Sequence, residues 1–545
     1  MSLVSLASYT LLAVAFCFLA AGLYMRTELL FTALNKAKSR WVLGLPIGSV
    51  LLIILNLVFY LTAQNGLDHP SNPLIIPFFT WSYGYPLGFL ASPISHANVG
   101  HISANLMATA VFAPAAEYII GHKNHRRPVF AAGGFAASWY LVGVLLALFS
   151  WGPSAGFSGV VFALFGFVTV YHPVKGVALL VLKQVADTFF DAVAQPVVVE
   201  KAGETFQSPW WANIAVESHA LGFLVGIILG VYLAKHRDVE LDGFLTGGAL
   251  LTVGVIQNLY IWNTGGPVLY RGVGLGGITV ASVLIGYAVS LETRTKPLRN
   301  VSKLDIRRTA SVLILLTPLL FMATVAVTLN TSSVVSPPHD TAVETVGYSI
   351  TYEENVTNRK FSNNPLVQQA PVNFTVSGVI VSNPGRGIWI QQITAEELKN
   401  AEEKTFYVGG LTWEKEIQVK RRSISGALGN ESYSVNVSIP NGSKTVFEGQ
   451  TAEAGVRLQD WNLSLRNNGT KNFAVLSKNN VTESIELSSN SSAIQGVKFV
   501  VRDRKVVATT RNGTKVPVAR IKGSYPGDRY EHENATEQKG NETHG

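Results

Sequence analysis

Between residues 2 and 330 the chain is a succession of apolar runs, each close to the roughly 20 residues a helix needs to cross a bilayer. No other feature constrains the fold as tightly. In hydrocarbon every backbone N–H and C=O must be paired within the protein, and runs of this length achieve that only as helices. The spacing predicts ten spans, over 2–24, 41–63, 100–120, 129–150, 156–172, 175–195, 213–234, 243–264, 271–291 and 309–330. The first resembles a signal peptide in position, but it lacks a basic flank and a small-residue cleavage site, so it reads as a span. From residue 331 to 545 no run of that length recurs. The expected architecture is therefore an all-α polytopic membrane part followed by a separate domain.

Charge placement tests the count. Only 14% of the 545 residues are charged, against about a quarter in soluble chains, which excludes a disordered protein and argues against a wholly soluble one. Residues 331–545 hold 24 Lys and Arg against 22 Asp and Glu, so by difference residues 1–330 hold 19 against 13. Most of the net +8 thus belongs to the sparsely charged part. There it falls in alternate loops: Arg26, Lys36, Lys38 and Arg40; Lys123, Arg126 and Arg127; Lys175; Lys235 and Arg237; then Arg294, Lys296, Arg299, Lys303, Arg307 and Arg308. Such alternation places those loops in the cytoplasm. The N-terminus and the C-terminal domain are then expected outside a cell membrane. The excess charge serves topology, and no nucleic-acid partner is implied.

The C-terminal domain carries Asn-x-Ser/Thr sequons at Asn355, Asn373, Asn430, Asn436, Asn441, Asn462, Asn468, Asn480, Asn490, Asn512, Asn534 and Asn541. A Ser- and Thr-rich domain makes a few by chance. Twelve favour a glycoprotein whose N-glycans decorate a translocated surface. Cys17, the single cysteine, excludes an internal disulfide, which fits a prokaryotic, archaeal-type surface protein better than a eukaryotic secreted module. Six stretches read as strands: Val372–Val381, Gly387–Ile393, Glu414–Lys420, Tyr433–Ile439, Trp461–Leu465 and Val497–Val507. Asn441-Gly442 and Asn512-Gly513 read as turns between strands. A β-sandwich-like domain over 331–525 with a polar, disordered tail over 526–545 is the expectation.

Polar side chains inside a membrane are costly and so become candidates for function. Ser158 lies between Gly156 and Gly159 at the outer end of the fifth predicted span. His219 lies one to two turns into the seventh, with Gly222 and Gly226 on its helical face. That glycine stripe would let the two helices press together and bring the imidazole to Ser158; packing alone would also explain it. His101 and Asn105 stack at i,i+4 at the outer end of the third span, where both can donate hydrogen bonds. His96 reads as a loop residue. Glu117, with Gly121 four residues on, sits near the cytoplasmic end, where structural hydrogen bonding is the better reading. Lys183, Asp187 and Asp191 read as a self-neutralising ladder along the sixth span.

Taken in order, His101-x3-Asn105, Glu117 to Gly121, Gly156-Phe157-Ser158-Gly159 and His219-x2-Gly222-x3-Gly226 resemble the motifs of the rhomboid intramembrane serine proteases. The likeness covers about residues 41–235. It implies a six-helix catalytic core over 41–235, with an extra helix and basic loop over 1–40 and three further helices over 236–330. It also implies a serine endopeptidase that cleaves membrane-anchored proteins near the outer face, with no cofactor and no metal. Ser158 would be the nucleophile and His219 the general base, with His101, Asn105 and the Ser158 N–H holding the oxyanion. The sixth span and the loop 196–212, with Trp210 and Trp211, would take the place of the lateral gate and cap. Three features depart from the family. Trp81-Ser82 stands where a Trp-Arg pair is common, Phe162 stands where Tyr is common, and four helices flank the core. A catalytically silent adaptor that binds single-span membrane proteins is the alternative.

Overall fold

The computed structural model describes residues 38–121, 126–194, 215–263, 269–294, 306–331, 341–359 and 375–522 except 489, together with residues 32, 35 and 36. The expected span 2–24, the loop 196–212 and the tail 526–545 lie outside the described residues. So do Arg26, Lys123, Lys296, Arg299, Lys303, Asn373, Asn534 and Asn541. The chain forms two compact units, Met1–Thr331 and Ser332–Gly545.

The first unit is helical: α1 (Ile47–Thr62), α2 (Pro86–Ala91), α3 (Val99–Ile120), α4 (Pro128–Leu148), α5 (Ser158–Tyr171), α6 (Pro173–Ala194), α7 (Val216–His236), α8 (Gly243–Ile256), α9 (Arg271–Arg294) and α10 (Ile306–Thr331). By length and composition α3, α4, α7, α9 and α10 can cross a membrane, which makes this a multi-pass membrane protein. The other apolar helices, α1, α5 and α8, are shorter.

α5 explains why a short helix suffices. Apart from Ser158, Phe162 and Tyr171 its residues are buried, as an all-round apolar helix requires. Its 14 residues rise only about 21 Å. Surrounded by protein, it need not reach both bilayer surfaces. Phe112, Trp139, Leu164, Phe165 and Phe167 form the core around it. α7 lies closest. A Cβ on Gly222 would meet the Gly159 carbonyl oxygen at 2.2 Å, and one on Gly226 would meet the Ala163 carbonyl oxygen at 1.9 Å. The two backbones touch where only hydrogen atoms fit between them.

At the end of the bundle away from Ser158, Glu117 is fully buried. Its carboxylate accepts hydrogen bonds from Gly48 N–H (3.0 Å), Ser49 N–H (2.8 Å) and Ser49 Oγ–H (2.7 Å). The two N–H groups are orphan donors of the first turn of α1, so Glu117 joins two helices. Arg40 and Arg237 donate to the Ile119 carbonyl, and Arg237 also to that of Ile120. Basic side chains here satisfy the last carbonyls of α3 and oppose its negative dipole end.

At the Ser158 end, the segment between α1 and α3 is stitched internally and to the α4–α5 loop. Gln64 Nε2 donates to the carbonyls of Leu74 and His96, and its Oε1 accepts from His96 N–H. Trp81 is buried and donates to the Ile76 carbonyl. Thr80 Oγ1 donates to the Gly152 carbonyl and accepts from Ser154 N–H. The end of α10 joins this knot: Asn330 Nδ2 donates to the Ser150 carbonyl, and Tyr83 N–H donates to that of Asn330.

The second unit is rich in strands: β1 (Val343–Thr345), β2 (Tyr348–Thr357), β3 (Thr375–Asn383), β4 (Ile388–Thr394), β5 (Glu403–Gly409), β6 (Glu414–Gly426), β7 (Glu431–Ile439), β8 (Gly442–Glu448), β9 (Ala452–Leu458), β10 (Trp461–Asn467), β11 (Asn472–Lys478), β12 (Val481–Leu487), β13 (Ser492–Ile494), β14 (Val497–Arg502), β15 (Lys505–Thr509) and β16 (Lys515–Lys522), with a short helix α11 (Ala395–Ala401) after β4. Among the described residues they form two four-stranded antiparallel sheets, β1 to β4 and β9 to β12, and one eight-stranded sheet from the rest. Leu463, Leu465 and Leu476 of the β9–β12 sheet share a core with Phe499, Val506 and Ile521 of the large sheet.

The expected run Val497–Val507 is two strands, not one. It folds back at Asp503-Arg504, where both residues have positive φ (48° and 60°). Gln459-Asp460 (48° and 69°) and Asn479-Asn480 (46° and 63°) turn other hairpins in the same way. Paired left-handed residues match the right-handed twist of the flanking strands. Without glycine these turns leave little trace in sequence, and most of the strands between them were missed.

Candidate active site

Ser158 occupies the first position of α5, where its N–H has no intrahelical acceptor and the helix dipole is positive. His219 enters from α7. Its Nε2 lies 2.6 Å from Ser158 Oγ. The glycine contacts of the two helices set this distance, because any side chain at 222 or 226 would hold the helices apart. Phe162, one turn below Ser158, rests against the imidazole with ring centroids 4.7 Å apart. His219 Nδ1 is buried and makes no hydrogen bond among the described residues. Among the described residues no carboxylate reaches it, and packing against Phe162 holds the ring.

His101 and Asn105 face Ser158 from α3. Asn98 caps this helix, its Oδ1 accepting from His101 N–H at 2.9 Å. Ala97 N–H donates to His101 Nδ1 at 3.3 Å, which leaves Nε2 as the protonated, donating nitrogen. That nitrogen lies against Gly156: a Cβ there would meet His101 Nε2 at 2.8 Å and Asn105 Nδ2 at 3.6 Å. Gly156 also has φ +128°, a conformation that side chains resist. Asn105 is buried, and its Nδ2 has no partner among the described residues.

Ser158, His219, His101 and Asn105 therefore converge, with Gly156, Gly159, Gly222 and Gly226 as the close contacts that allow it. A cavity of about 370 Å³ over Ser158 is lined by Phe79, Ser154, Gly156, His101 and His219. A second of about 370 Å³, also reaching Ser158, lies between α3, α5, α6 and the end of α8. A third, of about 430 Å³ and almost wholly apolar, separates α5 and α7 from α8, α9 and α10 and touches His219. Glu117 lies at the far end of α3 and takes no part.

Two features escaped the sequence reading. His96 is in a loop, as expected, yet it is fully buried and its ring meets that of His101 edge to face at 5.1 Å. It backs the residue that faces Ser158, and nothing in its sequence context signals that. Lys183 and Asp187 form an ion pair, as a ladder would, and both line the second cavity. Asp191 is exposed.

Residues 83–236 match the family described as the Rhomboid domain. No curated relative and no solved structure matches the chain.

Proposed function

We propose that this chain, which belongs to the rhomboid family through residues 83–236, is an intramembrane serine endopeptidase whose nucleophile is Ser158 and whose base is His219. The observation that carries this reading is the 2.6 Å contact between Ser158 Oγ and His219 Nε2, at the mouth of a cavity ringed by hydrogen-bond donors. With its proton on Nδ1, His219 presents the Nε2 lone pair to the serine hydroxyl. It takes that proton as Oγ attacks the scissile carbonyl carbon. The tetrahedral oxyanion is held by the Ser158 N–H, His101 Nε2–H and Asn105 Nδ2, the last of which has no partner among the described residues. The imidazolium then gives its proton to the leaving amine. Water, activated by the same nitrogen, releases the acyl group and restores Ser158.

The substrate follows from the location. The site opens among membrane-spanning helices, so it suits a membrane-anchored protein whose helix unwinds locally to expose a carbonyl. The charge pattern supports cleavage near the outer face of a cell membrane, with the C-terminal β-rich unit outside and its sequons open to N-glycans. The test is co-expression of wild type, Ser158→Ala and His219→Ala with a tagged single-span substrate. Wild type should release a new N-terminus, and both variants should lose this by about 10²-fold or more. Cleavage that persists in both variants rules the mechanism out. If a fluorophosphonate fails to label Ser158 while labelling an active serine protease, the chain is an adaptor instead.

A further inference from the structure

The second cavity beside Ser158 is polar on one side in a way that packing does not require. α6 presents Lys183, Gln184 and Asp187 to it, and the end of α8 adds Gln257. Charges buried among packed apolar helices are costly unless paired, and three polar side chains in five residues of one helix would be cheaper as leucines. The ion pair of Lys183 with Asp187 neutralises the charge and still leaves work undone. Asp187 Oδ1 is buried with no hydrogen-bond partner among the described residues, as is Asn105 Nδ2 across the same cavity. One wall thus holds an acceptor with no partner among the described residues, and the other holds Asn105 Nδ2, the donor assigned above to the oxyanion, with Ser158 between them.

Resting on the protease reading, we propose that this cavity holds the side chain of a substrate residue flanking the scissile bond, and that this residue is an uncharged hydrogen-bonding one: Asn, Gln, Ser or Thr. Asp187 Oδ1 accepts from its amide or hydroxyl. An apolar side chain would bury that oxygen unpaired, and a site built around a hydrogen bond rejects an analogue lacking it far more strongly than a merely apolar pocket rejects a change of size. A charged side chain is rejected for the opposite reason. Lys183 and Asp187 already cancel, so a further charge would stand uncompensated.

The experiment uses the full chain in liposomes and a single-span substrate series in which each residue flanking the mapped cut is Asn, Ser, Leu or Lys. Two enzymes are compared: wild type and the double variant Lys183→Leu/Asp187→Leu, which removes the pair together and strands no charge. At one flanking position wild type should show kcat/KM for Asn or Ser about 10- to 100-fold above Leu and Lys. The double variant should lose or invert that ratio. The ratio is taken within each enzyme, so any loss of overall rate cancels. The same series is measured for binding in the Ser158→Ala background with and without the double change, so that a slow variant still gives an answer. A polar-to-Leu ratio that survives the double change in both measurements overturns the inference and leaves the protease reading standing. A wild type that neither cleaves nor takes up a fluorophosphonate overturns both.

Discussion

Gly226 offers the sharpest test of how the fold builds the site. A Cβ placed there would lie 1.9 Å from the Ala163 carbonyl oxygen, 2.7 Å from its carbon and 2.9 Å from its Cα. Ordinary contact begins near 3.4 Å, so α7 must recede from α5 by about 1.5 Å. All three atoms are backbone, so no rotamer change relieves the clash. If the displacement reaches His219 two turns away, its Nε2 moves from 2.6 Å to about 4 Å from Ser158 Oγ, beyond hydrogen-bond range. Gly226→Ala should then cost about 1–3 kcal/mol of stability by overpacking and about 10²-fold or more in the labelling rate of Ser158 by a fluorophosphonate, since a misplacement of 1 Å carries that penalty. Two controls bracket it. Gly134→Ala on α4 meets nothing within 4 Å and should match wild type in both assays. Gly230→Ala meets the Val170 Cγ1 methyl at 2.3 Å, a side chain, so adding Val170→Ala should rescue it. No side-chain truncation should rescue Gly226→Ala. If that variant labels at the wild-type rate with an unshifted melting midpoint in detergent, the argument that backbone contact sets the Ser158–His219 distance is refuted.

Glu117→Ala strands three buried donors of α1 and should destabilise the helical unit by about 3 kcal/mol or more, with Glu117→Gln milder; a loss below about 1 kcal/mol in a detergent melt would contradict the role given to this carboxylate. Asn436 is buried, its Nδ2 donating to the Gly469 carbonyl and its Oδ1 accepting from Thr445 Oγ1, so glycopeptide mass spectrometry should find it bare while exposed Asn441, Asn480 and Asn512 are modified; a glycan on Asn436 would mean that glycosylation precedes folding of β7. Burial alone would push the Glu431 carboxyl up, but the hydrogen bond and charge of Arg421, with Lys399 behind them, hold it below the usual range. A depressed folded value means that its stabilisation is present above the unfolded value of about 4.3 and lost as pH falls through the folded one. The gap in melting midpoint between wild type and Glu431→Gln should therefore be widest at neutral pH and close in acid, and a gap that ignores pH would place its origin outside this ion pair.

The parts legible in the sequence are those where the surroundings leave no choice. Hydrocarbon forces apolar helices, so α3 to α7, α9 and α10 fall within a few residues of the runs that foretell them, while α8 stops at Ile256, eight residues short of the expected 243–264, and a polar side chain among them stands out. Ser158, His219, His101 and Asn105 could be picked out for that reason before any geometry was known. The β unit gives weaker signals, because a hairpin turned by Asp503-Arg504 carries no glycine to mark it, and alternation over five or six residues is easily lost.

What stayed hidden was pairing across elements. The stripe of Gly222 and Gly226 is visible as a pattern on one helix. Its partners are the carbonyl oxygens of Gly159 and Ala163, and a backbone atom has no letter of its own. The same holds for His96, whose place behind His101 follows from the Gln64 hydrogen bonds that fold its loop inward. It holds too for Asp187, which reads as a ladder member until α3 and α8 close a cavity around it. Sequence thus identifies groups too costly to be in a membrane without cause. It does not show whether the cause is a neighbour that neutralises them or a ligand that uses what the neighbour leaves over. At Asp187 one carboxylate oxygen is taken by Lys183, and the other has no partner among the described residues. That division of a single side chain is what the substrate series with the Lys183→Leu/Asp187→Leu enzyme tests, a structural ion pair against a binding group.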